Sequence, residues 1–563
     1  MAYDDVIILM GEFGRYQRKI YFLLCIPAIF CAIHKMSGVF LETAPDFRCI
    51  LPVENFTNAT YQLPDGYVDM LFPKHAATNT KKERPSQCRF YYNRNSTNAT
   101  TLEEYYSIHA NSTRKKEERT CENYIYDNSR YTSTVASKWN LVCDSSWWIS
   151  TGDSAFMIGV MFGSMIFGYL SDKIGRKPTF IICLLIQLVS GVIVGVAPNF
   201  PTFVVFRAIL GSTTSGVFIV AYVIALEMVG PKKRMFAGVG VNIFFTVGYF
   251  TTGLFAYFIR DWRTLQLSLV LPSVLFLAYY WFIPESCRWL LTKDRKEEAK
   301  ALLQKAAKIN GKDISDETME MLLMQKEADS TANIKTPSVL DLMRYPNLRR
   351  KTLLLCCNWL INSGTYYGLS WGAANLSDNE FATYFMSAAV EVPAYIFLMC
   401  TLNRWGRKAI LCGSMITAGS FLLLMIAVPI DMSWLAITFY MLAKLSITAS
   451  YGCIYIFTTE QFPTVVRNVG LGVCSTFAKL GGVFAPQING LGQIWFPFPR
   501  VLYGTLALCA GLLSLFLPET LNERLPDSIE DGENFGRKMK NLSLQTLTPT
   551  KKGSGKFTNK GEA

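Results

Sequence analysis

Two ionisable residues stand inside long apolar runs: Glu391 in VEVPAY and Lys479 in STFAKLGG. Moving a charge from water into hydrocarbon is costly, so an ionisable group at that depth is a functional candidate by default. A buried carboxylate attracts an organic cation, and a buried ammonium attracts a carboxylate. The plainer alternative is that the two neutralise each other or a neighbouring helix. His34 and Lys35 share another apolar run, where either a proton relay or an inter-helix contact would use them. Rings supply a second chemistry. Trp359, Tyr366, Tyr367, Phe218, Tyr222, Phe245 and Tyr455 offer faces that attract a desolvated cation by roughly 0.5 to 2 kcal/mol, or else they are packing and interfacial-belt residues.

A further set of charges is written twice. Glu227 and Arg234 in EMVGPKKR are seven residues apart, as are Glu460 and Arg467 in EQFPTVVR. SDKIGRK (171–177) recurs as LNRWGRK (402–408), and PESCRWLL (284–291) as PETLNERL (518–525), all at nearly one offset. Such spacing marks a duplicated unit. Asp172 at the tight turn of the first loop can meet a helix N-terminus or Arg234, and Arg176 can meet Glu227, latching that side shut in one state. Asn403 takes the place of Asp172 in the second copy, so its latch depends on Arg407 with Glu460. The alternative is a solvated basic loop that only obeys the positive-inside rule.

These residues must be positioned by membrane-spanning helices. The chain of 563 residues is 50% hydrophobic and only 17% charged, a balance that needs lipid to cover its surface. Apolar runs near 20–41, 147–170, 179–197, 202–226, 235–258, 264–283, 352–372, 380–401, 409–429, 433–458, 468–490 and 500–517 each approach the ~20 residues that cross ~30 Å of hydrocarbon. The expected fold is an all-α membrane protein of twelve transmembrane helices in two six-helix bundles. Internal symmetry of that kind is the mark of a transporter. Glu391 and Lys479 each lie about twelve residues from a span end, or ~18 Å, near the bilayer midplane. The short loops that carry Arg15, Arg18, Lys19, Lys173, Arg176, Lys177, Lys232, Lys233, Arg234, Arg404, Arg407, Lys408 and Arg467 fall on one side if both termini are cytoplasmic, with Arg260 and Arg263 as a minor exception. The net charge of +12 is then mostly a cytoplasmic face and needs no nucleic acid. The first span reads as a retained anchor, not a cleaved signal.

The expected organisation is a cytoplasmic N-terminus and first span (1–41), an extracellular loop (42–146), the rest of the first bundle (147–283), a cytoplasmic helical linker (284–350), a second bundle (351–517) and a cytoplasmic tail (518–563). The loop is polar and holds Cys49, Cys88, Cys121 and Cys143, which suit an oxidising compartment and suggest two disulfides with three connectivities open. Five sequons, at Asn55, Asn58, Asn95, Asn98 and Asn111, point the same way, while the lone one at Asn375 is weak. The other eleven cysteines read as small buried hydrophobes. In the linker, DRKEEAKALLQKAAKIN and DETMEMLLMQKEA repeat apolar positions at helical spacing. No nucleotide loop or metal cluster occurs, so no cofactor is expected, and the only histidines are His34, His75 and His109.

GYLSDKIGRK, FRAILG, EMVG with Arg234 beyond it, PESCRWLL and TTEQFPTVVRNVGLG resemble the major facilitator superfamily over nearly the whole chain. The glycosylated loop and PESCRWLL resemble its organic cation, anion and zwitterion transporter family. The opening YDDVIILMGEFGRYQRKIYFLLCIPAIFCAIHKMSGVFL with DFRC resembles the insect organic cation transporter branch, and YIFTTEQFPTVVRN is similar to the carnitine transporter branch. The resemblance implies substrate contacts at the aromatic positions Trp359 and Tyr366. It also implies a departure at Lys479, where vertebrate cation transporters hold an Asp and anion and carnitine transporters an Arg. The loop has four cysteines where vertebrate cation transporters typically have six, so their disulfide set does not carry over. The expectation is a polyspecific organic cation transporter of the plasma membrane, facilitated and potential-driven, working by alternating access. Its partners are a small organic cation or zwitterion and the bilayer. The alternative is a sodium- or proton-coupled transporter of carnitine-like zwitterions, or an organic anion exchanger. A receptor whose loop is the active part has no need of two latches, and no catalytic pair at a span end suggests an enzyme.

Overall fold

A computed structural model describes residues 3–54, 59–76, 83–93, 99–110, 117–230, 233–312, 339–377, 379–523, 526 and 528–536. Ten of its helical runs are long and apolar enough to cross a membrane. They are Arg15–Leu41, Cys143–Ile174, Arg176–Gly195, Phe200–Glu227, Ala237–Phe258 and Trp262–Phe282 in the first half, and Glu380–Trp405, Arg407–Ala427, Ser433–Gln461 and Arg467–Gln493 in the second. Two further helices complete the set. Phe498–Ser514 is apolar but shorter. Pro346–Gly372 is long enough but carries Asn358, Asn362, Ser363, Thr365 and Ser370 among its buried residues. A helix this polar yet this enclosed faces protein, not lipid. In chain order the twelve are spans one to twelve, with Pro346–Gly372 as span seven. The end of the bundle that bears residues 42–146 is here the loop end, and the opposite end the terminal end.

Small residues let the spans meet closely. A Cβ added at Gly159 of span two would stand 1.9 Å from the carbonyl oxygen of Ala208 in span four, so only glycine permits that approach. Spans seven and eleven meet the same way: a Cβ at Gly481 would lie 2.2 Å from the carbonyl oxygen of Leu360.

The loop between spans one and two forms a small folded unit, more ordered than its weak apolar periodicity suggests. Three antiparallel strand pairs build it: Phe47–Cys49 with Tyr124–Tyr126, Lys74–Ala76 with Glu83–Pro85, and Arg89–Tyr92 with Glu117–Thr120. Leu51, Leu71, Phe72, Phe90 and Tyr105 make its core. Of the three connectivities, the structure has Cys49–Cys121 and Cys88–Cys143. The five loop sequon asparagines lie outside the described residues. In the linker, helix Lys296–Ile309 buries Ala299, Leu303, Ala306 and Ala307, and Asn310 at its end donates to Gln17 of span one at 2.8 Å. The second linker segment, DETMEMLLMQKEA, lies outside the described residues.

Candidate substrate site and helix latches

Span eight runs as two helical segments, Glu380–Ala389 and Glu391–Trp405. Pro393 has no N–H for the carbonyl of Ala389, so the regular ladder breaks just before Glu391. Glu391 therefore begins a new helical segment, where the helix dipole favours a negative charge. Its side chain is wholly buried. One carboxylate oxygen accepts from Tyr366 Oη of span seven at 2.6 Å and lies 3.1 Å from Lys444 Nζ of span ten. The other accepts from Thr246 Oγ1 of span five at 3.0 Å, and Thr246 belongs to the first half of the molecule.

Of the two ways to neutralise Glu391, by Lys479 or by a neighbouring helix, the structure has the second. Glu391 is neutralised by Lys444 and not by Lys479, because span ten brings an ammonium to the same depth on the face nearer to span eight. Lys479 donates instead to Ser475 Oγ on its own helix at 2.8 Å, within electrostatic reach of Lys35. Lys444 also stands 3.7 Å above the ring of Tyr366 and hydrogen-bonds Ser370 Oγ. A lone lysine in YMLAKLSIT was the available signal.

Around this pair the second half holds a box of rings. Trp359 lies 4.4 Å edge-on from Tyr455, Tyr366 stacks on Tyr451 at 5.1 Å, and Tyr367 stacks on Trp371 at 5.5 Å. Tyr451 was not among the sequence candidates, although it shares a helix face with Tyr455 one turn on. Trp359 Nε1 donates to Thr458 Oγ1 at 2.8 Å, which fixes its ring. Tyr455, six residues before the terminal end of span ten, is 42% exposed although it stands among these rings, so it borders open space between the halves. Across from it, Phe218 stacks on Tyr222 at 6.2 Å and meets Phe245 edge-on at 6.3 Å. The structure thus joins Glu391, Trp359, Tyr366 and Tyr455 in one cluster, with Phe218, Tyr222 and Phe245 in a second.

In span one, Lys35 hydrogen-bonds the hydroxyl of Tyr367 and lies 4.2 Å from its ring centre. His34 is fully buried, and its carbonyl accepts from Arg207 at 3.4 Å. Arg207 of span four was also missed. It is fully buried and bridges Glu42 at 2.9 Å and Asp153 at 2.8 Å, two carboxylates on one guanidinium. All three hide in apolar-looking sequence, and Glu42 was placed in the loop.

The hydrogen bonds between the halves gather at the midplane and above it, toward the loop end. Ser154 Oγ donates to the carbonyl of Val483 at 2.9 Å, Tyr249 Oη to that of Ser370 at 3.0 Å, and Trp371 Nε1 to that of Lys35 at 3.3 Å. At the rim, Tyr131 of the loop unit donates to Glu380 of span eight at 2.7 Å.

At the terminal end the two charge clusters repeat each other. Arg176 approaches Glu227 at 3.6 Å, and Arg407 pairs with Glu460 at 3.0 Å. The sequence left Asp172 to meet either a helix N-terminus or Arg234, but the structure pairs Asp172 with Arg176 and gives the N-terminus to Glu285. That carboxylate accepts from the amide of Arg176 at 2.9 Å, and Glu519 accepts from the amide of Arg407 at 3.0 Å in the second copy. Asp172 instead faces water at 73% exposure and pairs with Arg176 one turn away at 2.9 Å. The repeat of PES as PET carried this signal. Gly175 and Gly406 turn the chain at φ +114° and +89°, and a Cβ on either would fall 2.5 Å from the capping glutamate. Arg234 and Arg467 turn to carbonyls at the ends of spans four and ten, donating to Val229 at 3.1 Å and Phe462 at 3.3 Å.

Partial burial works to raise the pKa of Glu519, but amides of Thr520, Leu521, Arg407 and Lys408 outweigh it and hold the carboxyl below its ordinary value.

A model of the family described as sugar (and other) transporter matches residues 86–529. The chain is 52% identical over 545 residues to the organic cation transporter protein of Drosophila melanogaster, covering 96% of each. It is 35% identical over 536 residues to the human organic cation/carnitine transporter 2, covering 94% of this chain and 93% of that one. Among solved structures, the E. coli xylose transporter XylE in a partially occluded inward open conformation aligns with TM-score 0.54 at 16% identity, covering 68% of this chain and 90% of that one.

Proposed function

The chain belongs to the sugar (and other) transporter family, with the major facilitator fold, and from that premise we propose that it is a polyspecific organic cation transporter working by alternating access. One observation carries the choice of cargo: the fully buried Glu391 sits mid-span among rings, bound from both halves. An arriving cation would take the place of Lys444 beside the carboxylate and lie against Trp359, Tyr366 and Tyr455, with Phe218, Tyr222 and Phe245 closing from the first half. Because Thr246 and Tyr366 both hold Glu391, a ligand that displaces Thr246 also loosens the contact between the halves.

The multi-pass chain is assigned to the plasma membrane, with residues 42–146 outside, glycosylated on their five sequons, and both termini in the cytoplasm. The gathering of contacts toward the loop end then corresponds to a state closed to the outside. Glu227, Glu460 and their arginines, with Asp172 as an outlying member, latch the cytoplasmic ends as that side closes. Transport is facilitated and driven by the potential. At ~2.3 kcal/mol per charge per 100 mV, about 60 mV sustains roughly tenfold accumulation of a monovalent cation.

The relation to the carnitine transporter and two ammonium groups, Lys35 over the ring of Tyr367 and Lys479 within electrostatic reach of Lys35, support a second reading, uptake of zwitterions. Uptake of a labelled cation, zwitterion and anion, with and without sodium and at depolarised potential, separates the two. Cation uptake that falls on depolarisation and ignores sodium is expected. Sodium-dependent uptake of the zwitterion with no cation uptake would replace the first reading by the second.

A further inference from the structure

At the terminal end of the second bundle lies a cavity of about 500 Å³ that transport does not use. Its walls are the start of span seven, the start of span nine, the residues just beyond span twelve, and Phe535 and Gly536 immediately after the short tail helix Ile529–Asn534. Three cations line it: Arg350, Lys351 and Lys408. The nearby carboxylates are already committed. Glu533 accepts from the amides of Asn347 and Leu348 at 2.9 and 3.0 Å, and Glu519 from those of Arg407 and Lys408 at 3.0 Å each. Among the described residues, Arg350 and Lys408 have no carboxylate partner. The Arg350 guanidinium rests 5.5 Å from the ring of Phe516. Lys351 donates to the carbonyls of Gly532 and Phe535 at 3.1 and 2.7 Å, which pins the tail against span seven.

The flank of the cavity is apolar and open. Leu515 and Phe516, which line it, are 50% and 63% exposed at the end of a membrane-crossing helix. Cations at the rim of a span with an uncovered apolar ridge beneath them match a molecule that is anionic at its head and hydrocarbon below. A soluble anion has no use for the ridge.

We propose that this cavity binds the phosphate of an anionic phospholipid headgroup, with Arg350, Lys351 and Lys408 as its cations and Leu515 and Phe516 against its chains. Because tail and spans all contribute, the bound lipid clamps the tail helix onto the second bundle. The inference is independent of the cargo, since binding is read on the purified full chain with no substrate present.

The test places the protein in nanodiscs of phosphatidylcholine alone or with phosphatidylinositol 4-phosphate, and measures retained lipid and thermal midpoint. The phosphoinositide should be retained and should raise the midpoint. Arg350→Gln with Lys408→Gln should weaken it about thirty-fold, at about 1 kcal/mol per cation near a membrane surface. Both residues are at least partly exposed, so the variant should keep the wild-type elution profile and midpoint in phosphatidylcholine. Equal retention in the variant, or no preference over phosphatidylcholine, would overturn the proposal. Displacement of the lipid by soluble inositol phosphate at equal concentration would make the site one for a free phosphate and also overturn it.

Discussion

At the scale of single residues, Glu391 and Lys444 form a buried pair whose members have unequal consequences. Lys444→Met leaves a carboxylate uncompensated and should destabilise the chain by about 3 to 5 kcal/mol. The double variant with Glu391→Gln should recover most of the lost thermal midpoint, and its failure to do so would deny the coupling. Glu391→Gln alone should lower surface-normalised cation uptake by about tenfold, since a hydrogen bond to a charged group contributes about 1.5 to 3 kcal/mol. Lys479→Ala should preserve or improve cation uptake, because Lys479 bonds Ser475 and leaves Glu391 untouched. Loss of cation uptake in that variant would count against Glu391 as the cation's partner. Glu391 was legible in sequence because a lone carboxylate between two valines in an apolar run stands out. Its true partner was not, because pairing depends on which helix faces which, and periodicity within one helix does not report that. Lys479 satisfies the same depth criterion and faces elsewhere.

At the scale of elements, the proposed latch is a helix-capping device as much as an ion pair. Glu285→Gln or Glu519→Gln removes a charge held by backbone amides and should lower uptake several-fold at equal surface delivery. Asp172→Asn should cost much less, since an exposed i,i+4 pair contributes about 0.3 to 0.5 kcal/mol. Equal losses in Asp172→Asn and Glu285→Gln would refute this ranking. The pH dependence has a definite sign. A carboxyl held below its ordinary value when folded stabilises the fold above that value, and the contribution is lost as pH falls through the lowered one. Thermal midpoints of wild type should therefore converge on those of Glu519→Gln only in acid below the usual carboxylate range of about 4.3. The duplicated blocks announced that the charge cluster is repeated, and even held Glu285 and Glu519 in plain view. What they could not announce is that a glutamate distant in sequence outcompetes the nearby Asp172 for the amides exposed after Gly175.

At the scale of the whole molecule, the twelve spans were readable because the bilayer imposes length and apolarity on each. The loop unit was not, since short strands around a small core have almost no periodicity to detect. Cys88–Cys143 fastens that unit to the start of span two. Closing a loop of that size stabilises by about 4 kcal/mol, so Cys88→Ser with Cys143→Ser should reduce surface delivery without altering uptake per delivered molecule. Unchanged delivery would mean that the unit folds without its staple.

Span seven has a consequence for how the chain is made. Two of its buried asparagines find side-chain partners in helices that are synthesised after it, Ser450 of span ten for Asn362 and Ser514 of span twelve for Asn358. A translocation channel that sorts segments by their apolarity would release this one to lipid poorly. It must be retained at the channel or beside a chaperone until the last third of the polypeptide emerges, which makes span seven the point at which biogenesis waits.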